Sequence, residues 1–166
     1  MTEQELRDPK RTPSREGVLR AMAKVAEILP PTPLLPLEVD GRTLWCKAEM
    51  LQPIGAFKIR GAWHRISDLT KEERKRGVVG VSSGNHAQGV AWAAKRLGIA
   101  ATIVMPENAP KAKIEATRAL GAEVVLYKRP GEDRDVPLRP EQGAHRLPPR
   151  VELFGITTCA AGKSRV

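Results

Sequence analysis

Two stretches of this chain gather residues that can do chemistry. The first is Ser82-Ser83-Gly84-Asn85-His86, four polar side chains around one glycine. It follows Val78-Val79-Gly80-Val81, which reads as a short buried strand. It precedes Ala87 to Leu97, a run of good helix formers closed by Gly98. A strand that turns sharply into a helix leaves free backbone N–H groups at the helix start. The helix dipole adds to their pull on an anion. One Ser or Asn at such a place is an ordinary N-cap. Four donors or acceptors in five residues exceed what a cap needs.

The second stretch is Gly55-Ala56-Phe57-Lys58-Ile59-Arg60-Gly61-Ala62. Here one lysine sits early in a helix between two apolar residues. An isolated lysine usually lies on a solvated helix face. A helix start and apolar neighbours both disfavour a charged ammonium there. They favour the neutral amine that a Schiff base requires.

The elements that must position these residues are legible in the pattern. Val18, Leu19, Met22, Val25, Ala26 and Leu29 recur at helical spacing, so residues 17–28 predict an amphipathic helix, stopped by Pro30-Pro31-Thr32-Pro33. Asp40-Gly41 signals a hairpin between Leu34–Leu37 and a returning strand at 43–49. A helix is expected from about Ala56 to Ile66. Ser67 or Asp68 then opens another toward Arg76, and the mixed-sign cluster of 71–76 reads as a solvated helix end. Strands follow at 78–81, 101–105 and 123–127, with helices between them. Pro110 stands at one helix start and Gly121 at its end. Residues 77–127 therefore read β-α-β-α-β, an α/β class with parallel strands and ligands expected beyond their carboxyl ends.

Composition bounds the partners. The 166 residues suit one domain with a real core. With 28 Lys and Arg against 19 Asp and Glu the chain is basic, but the charge is spread. One Tyr, two Phe and three Trp also make a poor base-stacking surface, so no nucleic-acid partner is expected. No stretch of about 18 apolar residues suggests a membrane span. The two cysteines form no CxxC pair, the three histidines show no metal-ligand spacing, and no leader is visible, so a cytoplasmic protein without a metal is expected. Gly162-Lys163-Ser164 invites a phosphate-loop reading, but Thr157 stands where that motif needs glycine. Six Arg and five Pro crowd residues 128–166, where periodicity fades and only 151–156 could form a strand.

Taken together these motifs resemble the fold-type-II pyridoxal-phosphate enzymes, within them the serine/threonine dehydratase and serine racemase group. The resemblance rests on Pro31–Leu34, Trp45–Glu49, Gly55–Ala62, Ser82–Gln88, Met105-Pro106, Lys111-Ala112-Lys113, Gly121–Val124 and Gly131–Arg134, and covers roughly residues 18–134. It implies a tryptophan-synthase-β-like fold, an open parallel sheet with flanking helices, here incomplete. It implies pyridoxal 5'-phosphate as cofactor, held covalently by Lys58, which also moves protons. Phe57 would pack on the cofactor ring and Asn85 would bond its ring hydroxyl. Ser82, Ser83, Gly84, Asn85 and His86 would receive the substrate carboxylate. Ser83 would be the second proton donor if the chain racemises. The implied reaction is β-elimination from a small serine- or threonine-type amino acid, by a chain that could form a homo-oligomer; the alternatives are a racemase or an inactive fragment that associates with a full-length partner.

Two departures accompany the resemblance. Ala56 stands where a serine often precedes Phe-Lys, and no glycine-rich phosphate loop follows Arg134. The expected organisation is a flexible 1–16, a partial enzyme domain at 17–134, and a divergent, poorly ordered tail at 135–166. Weak cofactor binding and little turnover by this chain follow from that organisation.

Overall fold

Alternating strands and helices dominate the computed structural model, which describes residues 2, 14–128 and 151–152. Helix α1 spans Arg15–Ala26, capped by Ser14, whose hydroxyl accepts from the Gly17 N–H at 3.1 Å. It thus begins inside the stretch expected to be flexible, because a serine N-cap closes its first turn. Strands β1 (Leu34–Val39) and β2 (Arg42–Lys47) form an antiparallel hairpin. Asp40 and Gly41 both take left-handed φ, 49° and 71°, as a two-residue hairpin turn demands. β2 stops at Lys47 rather than Glu49, since Glu49–Leu51 turn as a short 3-10 helix.

Helix α2 spans Lys58–Ser67 and α3 spans Lys71–Arg76. α3 opens later than Ser67 or Asp68. Thr70 and Glu73 form a reciprocal capping box, at 3.2 and 2.8 Å, and the Asp68 carboxylate is engaged elsewhere. The cluster 71–76 is thus a whole helix, not the end of one.

β3 (Val78–Val81), α4 (Asn85–Arg96), β4 (Ala101–Pro106), α5 (Lys111–Ala119) and β5 (Glu123–Tyr127) follow the expected alternation. A short β6, Val151–Glu152, joins them. The sheet is parallel throughout, in the order β5-β4-β3-β6. The chain steps from β3 to β4 to β5 on one side, while β6 lies on the other side of β3. Strand order therefore reverses at β3, where open α/β sheets place their ligand crevice. Residues 153–156 of the suggested strand, and the rest of the expected tail, lie outside the described residues.

The main core packs Ile66, Val78, Val90, Ile103, Met105 and Ile114 between the sheet and its helices. A smaller cluster of Val25, Leu29 and Ile59 seats α1 on α2. The hairpin is different. Leu34, Leu35, Leu37, Leu44 and Trp45 are all exposed.

Candidate active site

Lys58 opens α2, and its position is set by a glycine the sequence reading did not single out. Gly89 lies within α4, where a Cβ would meet the Lys58 carbonyl oxygen at 3.2 Å and the Ala62 Cβ at 3.3 Å. A bare Cα there lets the two helices approach backbone to backbone. Trp63 and Trp92 meet edge to face across the same pair, with centroids 5.9 Å apart. Lys58 is thereby set beside the first turn of α4, close enough for its charge to act on His86. A glycine inside an otherwise helical pattern was the available signal.

The lysine's surroundings are one-sided. Ile59 is fully buried, but Phe57 is 57% exposed, so the apolar enclosure expected on both flanks is present on one only. The Lys58 Nζ lies 4.5 Å from the Phe57 ring centroid. Among the described residues it makes no hydrogen bond or salt bridge, so it is available for bonding.

The polar turn after β3 adopts much of the expected arrangement. Ser82 continues the β3 ladder, its N–H donating to the Val104 carbonyl at 3.1 Å. α4 begins at Asn85, not Ala87, so Asn85 and His86 occupy its first turn. Gly84 is the N-cap, and no side chain caps the helix. One expected donor is already engaged: the Gly84 N–H reaches the Ser82 Oγ at 3.3 Å. Ser83 and Asn85 are exposed. His86 is more enclosed, and its Nε2 is buried without a hydrogen-bond partner. Burial, and then the charge of Lys58, push the His86 pKa down. The imidazole is therefore neutral near pH 7.

Three further groups were given no role by the sequence. Arg60, two residues past Lys58, grips both oxygens of Glu49 at 2.8 Å. Thr32 donates to the same carboxylate at 2.6 Å. Arg60 first, then Thr32 and Lys47, outweigh burial and lower the Glu49 pKa to about 2. This clip ties the Pro-Thr-Pro segment and the end of the hairpin to the lysine's helix. Lys113 in α5 donates to the Asn85 Oδ1 at 2.5 Å and the Gln88 Oε1 at 3.3 Å. Gln52, just before Gly55, is 4% exposed, with both amide atoms buried and unpartnered.

A nucleophilic lysine beside an uncapped helix N-terminus can hold an aldehyde cofactor covalently while an anion sits on the helix. An unengaged Nζ, an open cap and an orphaned imidazole nitrogen fit pyridoxal phosphate chemistry. The comparisons agree. The family described as pyridoxal-phosphate dependent enzyme matches residues 25–147. The L-threonine ammonia-lyase of Thermotoga maritima is 61% identical over 89 residues, 54% of this chain and 22% of that protein. The L-threo-3-hydroxyaspartate ammonia-lyase of Saccharomyces cerevisiae is 42% identical over 144 residues, 82% of this chain and 44% of that protein. Among solved structures, maize serine racemase superposes with a TM-score of 0.66 at 40% identity, covering 70% of this chain and 37% of that one. The threonine deaminase of Solanum lycopersicum, in its processed form, gives 0.60 at 39%, covering 70% and 37%.

The chain belongs to the pyridoxal-phosphate dependent enzymes, and its fold is part of the fold-type-II architecture. It spans less than half the length of each of these relatives. Among the described residues no helix is long and apolar enough to cross a membrane.

Proposed function

We propose that this chain carries the lysine and the substrate loop of an ammonia-lyase that converts small hydroxy amino acids such as serine, threonine or hydroxyaspartate to a 2-oxo acid and ammonia. The observation that supports it most is the close approach at Gly89, which brings the Lys58 backbone against α4 near its polar first turn. When bound, pyridoxal 5'-phosphate supplies the electron sink that makes the substrate's α-proton acidic. Lys58, as the neutral amine, takes that proton at Nζ. The uncapped start of α4, with Ser82, Ser83 and Gly84, receives the substrate carboxylate. Asn85 donates to the ring hydroxyl, and Phe57 packs on the ring. Lys58 Nζ passes that proton on to the β-hydroxyl, which departs as water; the enamine left behind takes up water and releases ammonia, giving a 2-oxo acid.

A racemase is the second reading, supported by Ser83 and by the likeness to maize serine racemase. Ser83 would then return a proton to the face opposite Lys58.

Borohydride reduction of the chain with pyridoxal phosphate, followed by peptide mapping, should place the label on Lys58 alone. Serine, threonine and hydroxyaspartate should each be assayed for 2-oxo acid and for the opposite enantiomer, with K58A as the blank. Label scattered over many lysines would mean that no preformed site exists. Enantiomer without 2-oxo acid would favour the racemase.

A further inference from the structure

Lys113 is oddly placed for a cation. It is the third residue of α5, in the turn where the helix dipole is positive and opposes it. Among the described residues it has no carboxylate partner. Its ammonium rests instead on two neutral side-chain oxygens, Asn85 Oδ1 at 2.5 Å and Gln88 Oε1 at 3.3 Å. These two residues lie three apart on α4, so they share one face. Gln88 is 7% exposed, which makes its oxygen a fixed anchor. Asn85 is exposed, in the first turn beside the open cap.

An asparagine amide is nearly symmetrical in shape but not in chemistry: one end accepts, the other donates. Free to rotate, an exposed amide offers either end to a ligand. A cation against one end removes that freedom. Turning the Asn85 amide over would set its N–H groups against an ammonium and lose a charge-assisted hydrogen bond.

We propose that Lys113 is a positioning residue. It locks the Asn85 amide with Oδ1 toward α5, leaving Nδ2 as a pure donor for a ligand at the start of α4. This rests on the ammonia-lyase reading, which gives Asn85 the cofactor's ring hydroxyl. A donor there stabilises the ionised, acceptor form of that hydroxyl, and an amide turned the other way would oppose it. Lys113 touches neither cofactor nor substrate and acts through Asn85.

Two measurements on the full chain test this, with K113M, K113Q, K113R, N85A and the K113M/N85A pair. In the chain without cofactor, the side-chain amide resonances of Asn85 should move toward free-amide values in K113M and K113Q, and stay near their original values in K113R. In equilibrium dialysis with pyridoxal phosphate, K113M should weaken binding about tenfold when Asn85 is present. In the N85A background the same change should matter less than about twofold. Equal losses in both backgrounds, or an Asn85 amide indifferent to K113M, would overturn the proposal. If the unaltered chain takes up no cofactor, the ammonia-lyase reading falls, and the amide resonances still decide whether Lys113 positions Asn85.

Discussion

His86 shows how a residue's chemistry is set by its neighbours. Its place in the polar turn between β3 and α4 was legible in the sequence. Its protonation was not, because that depends on burial and on a lysine 28 positions earlier in the chain. Burial first, and Lys58 second, depress its pKa below the ordinary 6.5. The unfolded chain therefore binds more protons at this site than the folded one as pH falls below that value. Folded stability is complete above about 6.5 and declines as pH drops toward the depressed pKa. In a titration followed by the imidazole resonances, His86 should protonate below 6.5. K58M should raise its midpoint, since the repelling charge is gone, while leaving the burial effect in place. A His86 midpoint unchanged by K58M would separate the two residues.

Between elements, the decisive contact is α2 on α4. The sequence predicted both helices to within about two residues, since apolar spacing, Gly98 and the motif itself bound them. It also predicted the parallel β-α-β-α-β run, whose strands are short, apolar and punctuated by Pro and Gly. Helix crossing was beyond it, because approach distance is a tertiary property that single-chain periodicity does not encode. Position 89 carries that information. Gly89→Ala sets two effects against each other: alanine favours a helix interior by about 1 kcal/mol, but its Cβ meets the Lys58 carbonyl at 3.2 Å. Gly89→Val removes the ambiguity, adding bulk that neither backbone can absorb. It should cost about 1–3 kcal/mol in denaturant unfolding, and it should lower the yield of reduced cofactor on Lys58 even where the chain stays folded. Full labelling in a folded Gly89→Val chain would show that Lys58 does not depend on this contact.

At the scale of the whole molecule, the N-terminal third and the parallel sheet are held by different forces. The sheet and its helices share a buried apolar core. The α1 helix and the hairpin bury less, and two carboxylates tie them down. Asp68 takes two bonds of 2.8 Å from Arg20 and a short contact from Lys24. Burial pushes its pKa up, but the Arg20 and Lys24 hydrogen bonds and charges prevail and leave it at about 2. Glu49, gripped by Arg60, Thr32 and Lys47, also lies at about 2. Both folded values fall below the ordinary 3.8 and 4.5, so each carboxylate stabilises the fold fully above its unfolded pKa and loses that effect as pH falls toward 2. Each contributes about 1–3 kcal/mol at neutral pH after allowance for solvent screening. Acid should therefore loosen residues 14–60 while the apolar sheet core persists. Amide hydrogen exchange at pH 5 and pH 2.5 should show protection lost in α1 and the hairpin before β3 and β4. The E49Q/D68N chain should exchange faster in α1 and the hairpin already at pH 5, and it should change less between the two pH values. If β3 and β4 lost protection first, the division of labour between ion pairs and apolar core would be wrong.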